Sequence, residues 1–400
     1  MGCCGCFELF RRVKRIPRSE NGSASRGFRK GLSREQLLGY NTDDSEGNIV
    51  KRFKHAKFMV PVHCYKSSDA VEDVTSATTQ KVVKSKLKIS ARRNISSSVN
   101  EDVNRIFPVK MTHREVHSED FDGNKMINEY VRVCLIATGS YGKVFLHRNQ
   151  LDGNLYAIKV LRKSRLCKVR VAPSQTALTD VMREVEIMKI LHHPRIVNLI
   201  EVIDDPDSDH FYMVLEYVEG GGIFRESGPP GGIGQATAQL YFRDTVEGLV
   251  YLHKKNVVHG DIKPENLLVT SEGRIKIGDF SISQMFESGN DLMQRSPGTP
   301  VFTAPECCTG SQYHGKIADI WALGVTLYCM VFGCYPFIDD TLQDLYDKIL
   351  HKELSLPDLS NHRLAHLLER LLCKDPKMRI SLEEVARHPW FLEDLGHKPV

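Results

Sequence analysis

Residues 258–268 read VHGDIKPENLL and bring three chemically able side chains close together: Asp261, Lys263 and Asn266. A carboxylate can accept the proton of an attacking hydroxyl, an ammonium can steady phosphoryl oxygens, and an amide oxygen is a hard ligand for Mg²⁺. Asp279, in Asp279-Phe280-Ser281 after the run RIKIG, offers a second hard oxygen donor. Upstream, Gly139-Ser140-Tyr141-Gly142-Lys143-Val144 is a glycine-rich turn whose backbone N–H groups can approach phosphate oxygens with no Cβ in the way. Lys159, in the apolar run YAIK, needs a partner if buried, and Glu184 in the next helical stretch can supply it. Taken singly, each feature has a plain alternative: a hairpin turn, a strand-edge Lys reaching water, a Gly-Asp turn, an Asp closing a strand. In this order and at these spacings the set reads as one site for phosphoryl transfer.

The surrounding elements suit that reading. NEYVRVCLIATGSYGKVFLHRN and LYAIKVLR are β-branched runs broken by glycines and by Asp152-Gly153, the pattern of antiparallel hairpins. DVMREVEIMKILHH carries Val181, Met182, Val185, Ile187, Met188 and Leu191 as a helical stripe, and FYMVLEYV reads as a further strand. Beyond Gly234 the apolar periodicity is mostly helical, in ATAQLYFRDTVEGLVYLHKK, ADIWALGVTLYCMVFG and RLAHLLERLLC. A β-rich half followed by an α-rich half predicts two lobes with a cleft between them, an α+β arrangement. Residues 1–127 lack periodicity and are read as a basic, mostly disordered arm, with short helices near 34–38 and 79–89; residues 128–392 form the folded domain and 393–400 a short tail.

The chain has 400 residues, 26% of them charged and 41% hydrophobic, a globular composition. Residues 1–128 hold 24 Lys and Arg against 15 Asp and Glu, the remainder 30 against 35. The basic arm either meets an anionic partner or is simply solvated. It lacks any aromatic-interleaved or zinc module, so specific nucleic-acid binding is not expected. The 11 cysteines follow no disulfide-framework spacing, and no apolar run is expected to reach the length of a bilayer span. Cytoplasm, and the nucleus as well, is the expected location. MGCCGCFELFRRVKR offers Gly2 for myristoylation, Cys3 and Cys4 (with Cys6) for palmitoylation, and four basic residues for anionic lipid. A plain basic tail and a metal-binding cysteine cluster are the competing readings of that terminus.

These motifs resemble those of eukaryotic serine/threonine protein kinases over about residues 130–392. The resemblance implies a bilobal fold with an antiparallel-sheet N-lobe and a helical C-lobe, using ATP and Mg²⁺. It implies that Ile136, Gly139, Gly142, Val144, Ala157 and Leu268 enclose ATP and that Lys159, paired with Glu184, holds its α- and β-phosphates. Leu215 would be the gatekeeper, with the backbone of Glu216 and Val218 meeting adenine. Asp261 would be the base, assisted by Lys263, with Asn266 and Asp279 as metal ligands. TPVFTAPE, residues 299–306, matches the end of an activation segment, with Glu306 pairing with Arg379, and Lys263 and Thr299 favour Ser or Thr as acceptor. HGDIKPENLLV, KIGDFSISQ, RSPGTPVFTAPECC, VNLIEVIDDPDSDHFYMVLEYV and RVAPSQTALTDVMREV are further similar to the plant geminivirus Rep-interacting kinases, upstream activators of sucrose-nonfermenting-related kinases that resemble calmodulin-dependent kinase kinases. That narrower likeness implies an acceptor Thr in another kinase's activation loop, and a viral replication protein as a further partner.

The chain departs from the family at Ala137 (usually Gly), Gly260 (usually Arg), Ser281 (usually Gly) and in Gly220-Gly221-Gly222-Ile223. Without the Arg, a phosphate on the activation segment has no guanidinium to collect it, so the expectation is a kinase needing no such phosphate. A Cβ at Ser281 is expected to restrain flipping of the Asp279 segment, and Gly222 in place of an acidic residue argues against a demand for Arg near the acceptor. Ser174 in RVAPSQTAL has Val169 and Arg170 upstream and Leu178 downstream, a spacing that resembles sites of the downstream kinases themselves, and Thr176 and Ser296 are further candidate phosphosites. The competing function is a nucleotide-binding pseudokinase scaffold, which retention of Lys159, Asp261, Asn266 and Asp279 opposes.

Overall fold

Alternation of β-branched and aromatic residues builds the amino-terminal lobe around one curled sheet. The computed structural model describes residues 57–58 and 108–394, apart from positions 140, 173–174, 225–227, 288, 295–297 and 358–359. Its strands are β1 (Lys57–Phe58), β2 (Lys110–Thr112), β3 (His117–Glu119), β4 (Lys125–Ile127), β5 (Tyr130–Thr138), β6 (Gly142–Asn149) and β7 (Leu155–Arg162), then β8 (Arg170–Ala172), β9 (Gln175–Thr176), β10 (Leu199–Ile203) and β11 (His210–Glu216). The main sheet runs β2-β10-β11-β7-β6-β5-β4-β3, with β1 paired to β5, while β8 and β9 form a separate hairpin. The predicted hairpins β5–β6 and β6–β7 are both present, and Met213 of β11 lies opposite Lys159 of β7.

Two helices separate β7 from β10: α1 (Lys163–Lys168) and α2 (Ala177–Ile190). Helix α2 starts at Thr176, whose side chain forms a capping box with Thr179, and it buries Val181, Glu184, Val185, Ile187 and Met188. Met182, counted in the predicted stripe, is 40% exposed instead. Its place in the turn puts it beside the core-facing residues, off the buried stripe.

The folded body begins upstream of the expected boundary at 128. Residues 108–127, assigned to the arm, carry β2, β3 and β4, with β2 running parallel to β10 at one edge and β3–β4 extending the other edge beyond β5. Buried Glu201, on β10, ties β2 to β5 across the curl of the sheet. It accepts from the Tyr130 hydroxyl at 2.7 Å, from Lys110 Nζ at 3.2 Å and from the Thr112 hydroxyl. Strands of three residues with polar faces, KMT and HSE, give no period to detect, and only the curl that brings both edges together makes them stable.

The second lobe is helical, from α3 (Gln235–Lys254) onward, with the short β12 (Val257–Val258) and then the two-strand ladder β13 (Leu267–Val269) and β14 (Ile275–Ile277) under the cleft. Its core closes around the Gly315–Phe332 helix, with Trp321, Phe242, Leu368 and Trp390 buried. That helix is long and apolar enough to cross a membrane by length and composition, contrary to the sequence expectation, but most of it is buried in this lobe. Gly324 lies against Leu371 and Leu372, so the neighbouring His362–Leu371 helix packs closely on it.

Candidate active site

Register alone lines the roof of the cleft. Ile136 lies on β5, Val144 on β6, Ala157 on β7 and Leu215 on β11, with Leu215 directly opposite Ala157. Leu268 lies on β13 in the other lobe. The glycine-rich turn closes with the Gly139 N–H donating to the Gly142 carbonyl at 2.9 Å. Ala137 stays in β5 opposite Val144, so a Cβ at this position continues the strand. The chain then crosses between lobes through Glu216 and Val218, and Gly220 N–H donates to the Val269 carbonyl at 3.0 Å. A Cβ on Gly222 would collide with the Glu265 carbonyl of the catalytic loop, which gives this departure a packing reason.

Lys159 Nζ donates to both Glu184 oxygens, at 2.8 and 2.7 Å, tying β7 to α2. Burial works against the ammonium, but Glu184 and Asp279 outweigh it and hold its pKa above the ordinary lysine value. Burial likewise pushes the Glu184 carboxyl up against the pull of Lys159; the two short contacts identify an ion pair. Burial also opposes the Asp279 carboxylate, yet Lys159, a Ser281 hydrogen bond and Lys263 hold its pKa below the usual range.

The predicted catalytic residues converge on Asp261. Lys263 Nζ lies 2.6 Å from its Oδ2 and donates to the Thr299 hydroxyl at 2.7 Å, and that hydroxyl donates to Asp261 Oδ1 at 2.8 Å. The Thr299 N–H reaches the same oxygen at 3.1 Å. Burial opposes the Lys263 charge, and Asp261 more than restores it. Asn266 Nδ2 donates to the Asp261 carbonyl at 2.8 Å and to Oδ2 at 3.1 Å, so its amide oxygen is the atom left to act as ligand. The activation segment thus docks on the loop through Thr299, and Glu306 pairs with Arg379 at 2.6 and 2.8 Å as expected.

Sequence reasoning missed Asp319. Buried in the Gly315–Phe332 helix, it accepts from the His259 N–H at 2.9 Å, the Gly260 N–H at 2.8 Å and His253 Nε2 at 2.9 Å. It fixes the loop that carries Asp261. A carboxylate inside the apolar run ADIWALGV was the available signal, since such a group is retained only where donors meet it.

Gly260 has φ of +79°, a left-handed conformation. A Cβ there would make only ordinary contact with Ile282, at 3.6 Å. The cost of any side chain is therefore conformational, and Gly260→Ala is expected to lose about 1–2 kcal/mol of folding stability, measurable by denaturant unfolding. No loss would mean that the loop shifts to a right-handed conformation at no cost. Ser281 takes an ordinary φ, and the left-handed residue is Asp279, at +59°. Thr176 caps α2, whereas Ser174, Ser296, Gly2, Cys3 and Cys4 lie outside the described residues.

The arrangement fits a nucleoside triphosphate and a divalent cation. Asn266 and Asp279 present hard oxygen donors beneath the cleft, and buried Lys159 supplies fixed positive charge for phosphates. Once bound, the cation would neutralise charge on the phosphates. Asp261 is placed to orient an acceptor hydroxyl and take its proton, with Lys263 and Thr299 holding it in position.

A family profile described as protein kinase domain matches residues 130–391. The chain is 61% identical to serine/threonine-protein kinase GRIK2 of Arabidopsis thaliana over 297 residues, covering 74% of this chain and 73% of that protein. It is equally 61% identical to serine/threonine-protein kinase GRIK1 of the same plant over 292 residues, covering 73% and 74%. A calcium/calmodulin-dependent protein kinase kinase of Caenorhabditis elegans is 37% identical over 322 residues, 75% of this chain and 59% of that protein. The profile and these identities make the chain a member of the protein kinase family, a serine/threonine protein kinase that uses ATP and a divalent metal ion to phosphorylate protein substrates.

Proposed function

We propose that this kinase uses Mg·ATP to phosphorylate the activation-loop Thr of a downstream protein kinase of the sucrose-nonfermenting-related type, without needing a phosphate on its own activation segment. The observation that carries this reading is the closed contact of Thr299, Lys263 and Asp261 beside Gly260: the acceptor-side segment is docked on the loop by neutral and lysine contacts, with no arginine at the position that would collect a phosphate. The 61% identity to the two plant kinases supports the substrate class, as does likeness to a relative named as a kinase of a kinase. Mg²⁺ is the proposed cation because the two donors are an amide oxygen and a carboxylate, hard ligands that leave the remaining positions to water and phosphate.

The test is phosphate transfer from Mg·ATP by unphosphorylated enzyme to a catalytically dead downstream kinase carrying either its activation-loop Thr or Ala. Transfer to the Thr form alone is the expected result; phosphate mapping in the same reaction tests Ser296, and mapping after incubation with an active downstream kinase tests Ser174 and Thr176. Transfer that begins only after phosphorylation of Ser288 or Ser296 would overturn the phosphate-independent part. Retained ATP binding with no transfer at all would leave a scaffold.

A further inference from the structure

We propose that Glu115, His117 and His210 form a binding site for a first-row transition-metal cation of the zinc class, which clamps the segment crossing from β2 to β3 onto the start of β11. Glu115 Oε1, His117 Nε2 and His210 Nδ1 lie within 4.8 Å of one another. His117 contacts the carboxylate directly, and His210 Nδ1 is 3.6 Å from the same oxygen. The two imidazoles meet edge to face, their centroids 6.4 Å apart. Two imidazole nitrogens and one carboxylate oxygen, with a coordination position left for water, are a zinc-type ligand set. Imidazole ligands disfavour Ca²⁺ and Mg²⁺, which take oxygen donors.

The surroundings fit a built site. The Glu115 side chain is only 4% exposed and forms the floor, while His117 is 64% exposed and leaves a path for an ion to enter. The Tyr212 hydroxyl donates to Glu115 Oε1 at 2.6 Å, the kind of outer-shell hydrogen bond that orients a ligating carboxylate. The second oxygen, Oε2, is buried without a hydrogen bond of good geometry, although the Ser208 hydroxyl contributes to holding the carboxylate ionised. Exposed His117 can move back, and a small shift brings His210 in, to give metal–ligand distances of about 2.0–2.2 Å.

The position gives the ion a role. Glu115 lies in the short crossing that links one edge of the sheet, where β2 pairs with β10, to the other edge, where β3 and β4 extend β5. The Glu115 N–H already donates to Asp205 Oδ2 at 2.8 Å. A cation shared with His210 would cross-link this crossing to β11 across more than ninety residues of sequence. The root of the basic amino-terminal segment would then be fixed to the β-lobe in a metal-dependent way.

The test uses the full-length chain, nucleotide-free, with Cys3→Ser, Cys4→Ser and Cys6→Ser in every sample so that terminal thiols do not take the ion. Zn²⁺ is titrated in competition with a chromophoric chelator, Co²⁺ is followed by visible absorption, and thermal unfolding is recorded with and without Zn²⁺. The expected result is one equivalent bound, an upward shift in Tm, and at least about tenfold weaker binding with loss of that shift in His117→Ala and in His210→Gln. His351→Ala, at an exposed histidine remote from the site, is expected to bind as the parent does. Absence of stoichiometric binding in the parent, or equal affinity in parent and His117→Ala, would overturn the proposal. Equal weakening by His351→Ala would do so too, by showing unspecific uptake.

Discussion

Replacing Asp261 by Asn is expected to lower the rate of phosphate transfer by about 10²- to 10⁴-fold, the range for loss of a positioned general base. The fold and ATP affinity should be nearly unchanged. The reason lies in how the carboxylate is held: Lys263 Nζ and Thr299 Oγ1 bracket it at 2.6 and 2.8 Å, and Asn266 secures the loop from the other side. An amide of the same shape keeps the donors on one side only, turns its NH2 toward donors on the other, and cannot accept the proton of an attacking hydroxyl. Single-turnover transfer of labelled phosphate gives the rate, nucleotide binding is measured separately, and the melting temperature reports the fold. A rate within tenfold of the parent would remove Asp261 from the role of proton acceptor. A large fall in ATP affinity would instead mean that the substitution has disturbed the Asn266–Asp279 side of the site.

The largest expected effect on stability comes from Arg379. Its side chain is fully buried, donates to both Glu306 oxygens at 2.6 and 2.8 Å, and also reaches the carbonyls of Ile317 at 3.0 Å and Cys373 at 3.1 Å. Its guanidinium lies 5.2 Å from the Trp321 ring, against the central helix of the lobe. Arg379→Met is expected to cost about 3–5 kcal/mol, because it leaves the Glu306 carboxylate poorly compensated and two carbonyls without their donor. The double variant Glu306→Leu with Arg379→Met should recover part of that loss, since it removes the stranded charge. Urea unfolding of the single and double variants separates the terms. Additive losses would show that the two side chains are not coupled. Because Glu306 ends the segment that carries Thr299, the single variant is also expected to loosen the docking of Thr299 on Asp261.

The two variants touch different layers of legibility. Asp261, Asn266, Asp279 and Lys159 were readable because their chemistry is local: a carboxylate and an amide at fixed spacing, a Lys in an apolar strand, glycines in a turn. The hairpins of β5, β6 and β7 were equally readable, since side-chain alternation and turn residues lie next to one another in the chain. Asp319 was harder, because its purpose depends on backbone donors at positions 259 and 260, some sixty residues away. Met182 was misplaced because a helical stripe gives a direction to within about one residue, and only packing decides the edge of the buried face.

By itself the sequence determined the reaction type, the order of the two lobes and the strands, turn and loop that carry the candidate site residues, because these follow from residue type and short-range periodicity. The tertiary structure alone decided where the folded body begins, why Gly222 and Gly260 stand where they do, and that Glu115, His117 and His210 share one corner. Those facts depend on close approach between distant segments and on a left-handed backbone. The curl of one sheet brings residues 110–117 against residues 201–212, and no local pattern encodes that meeting.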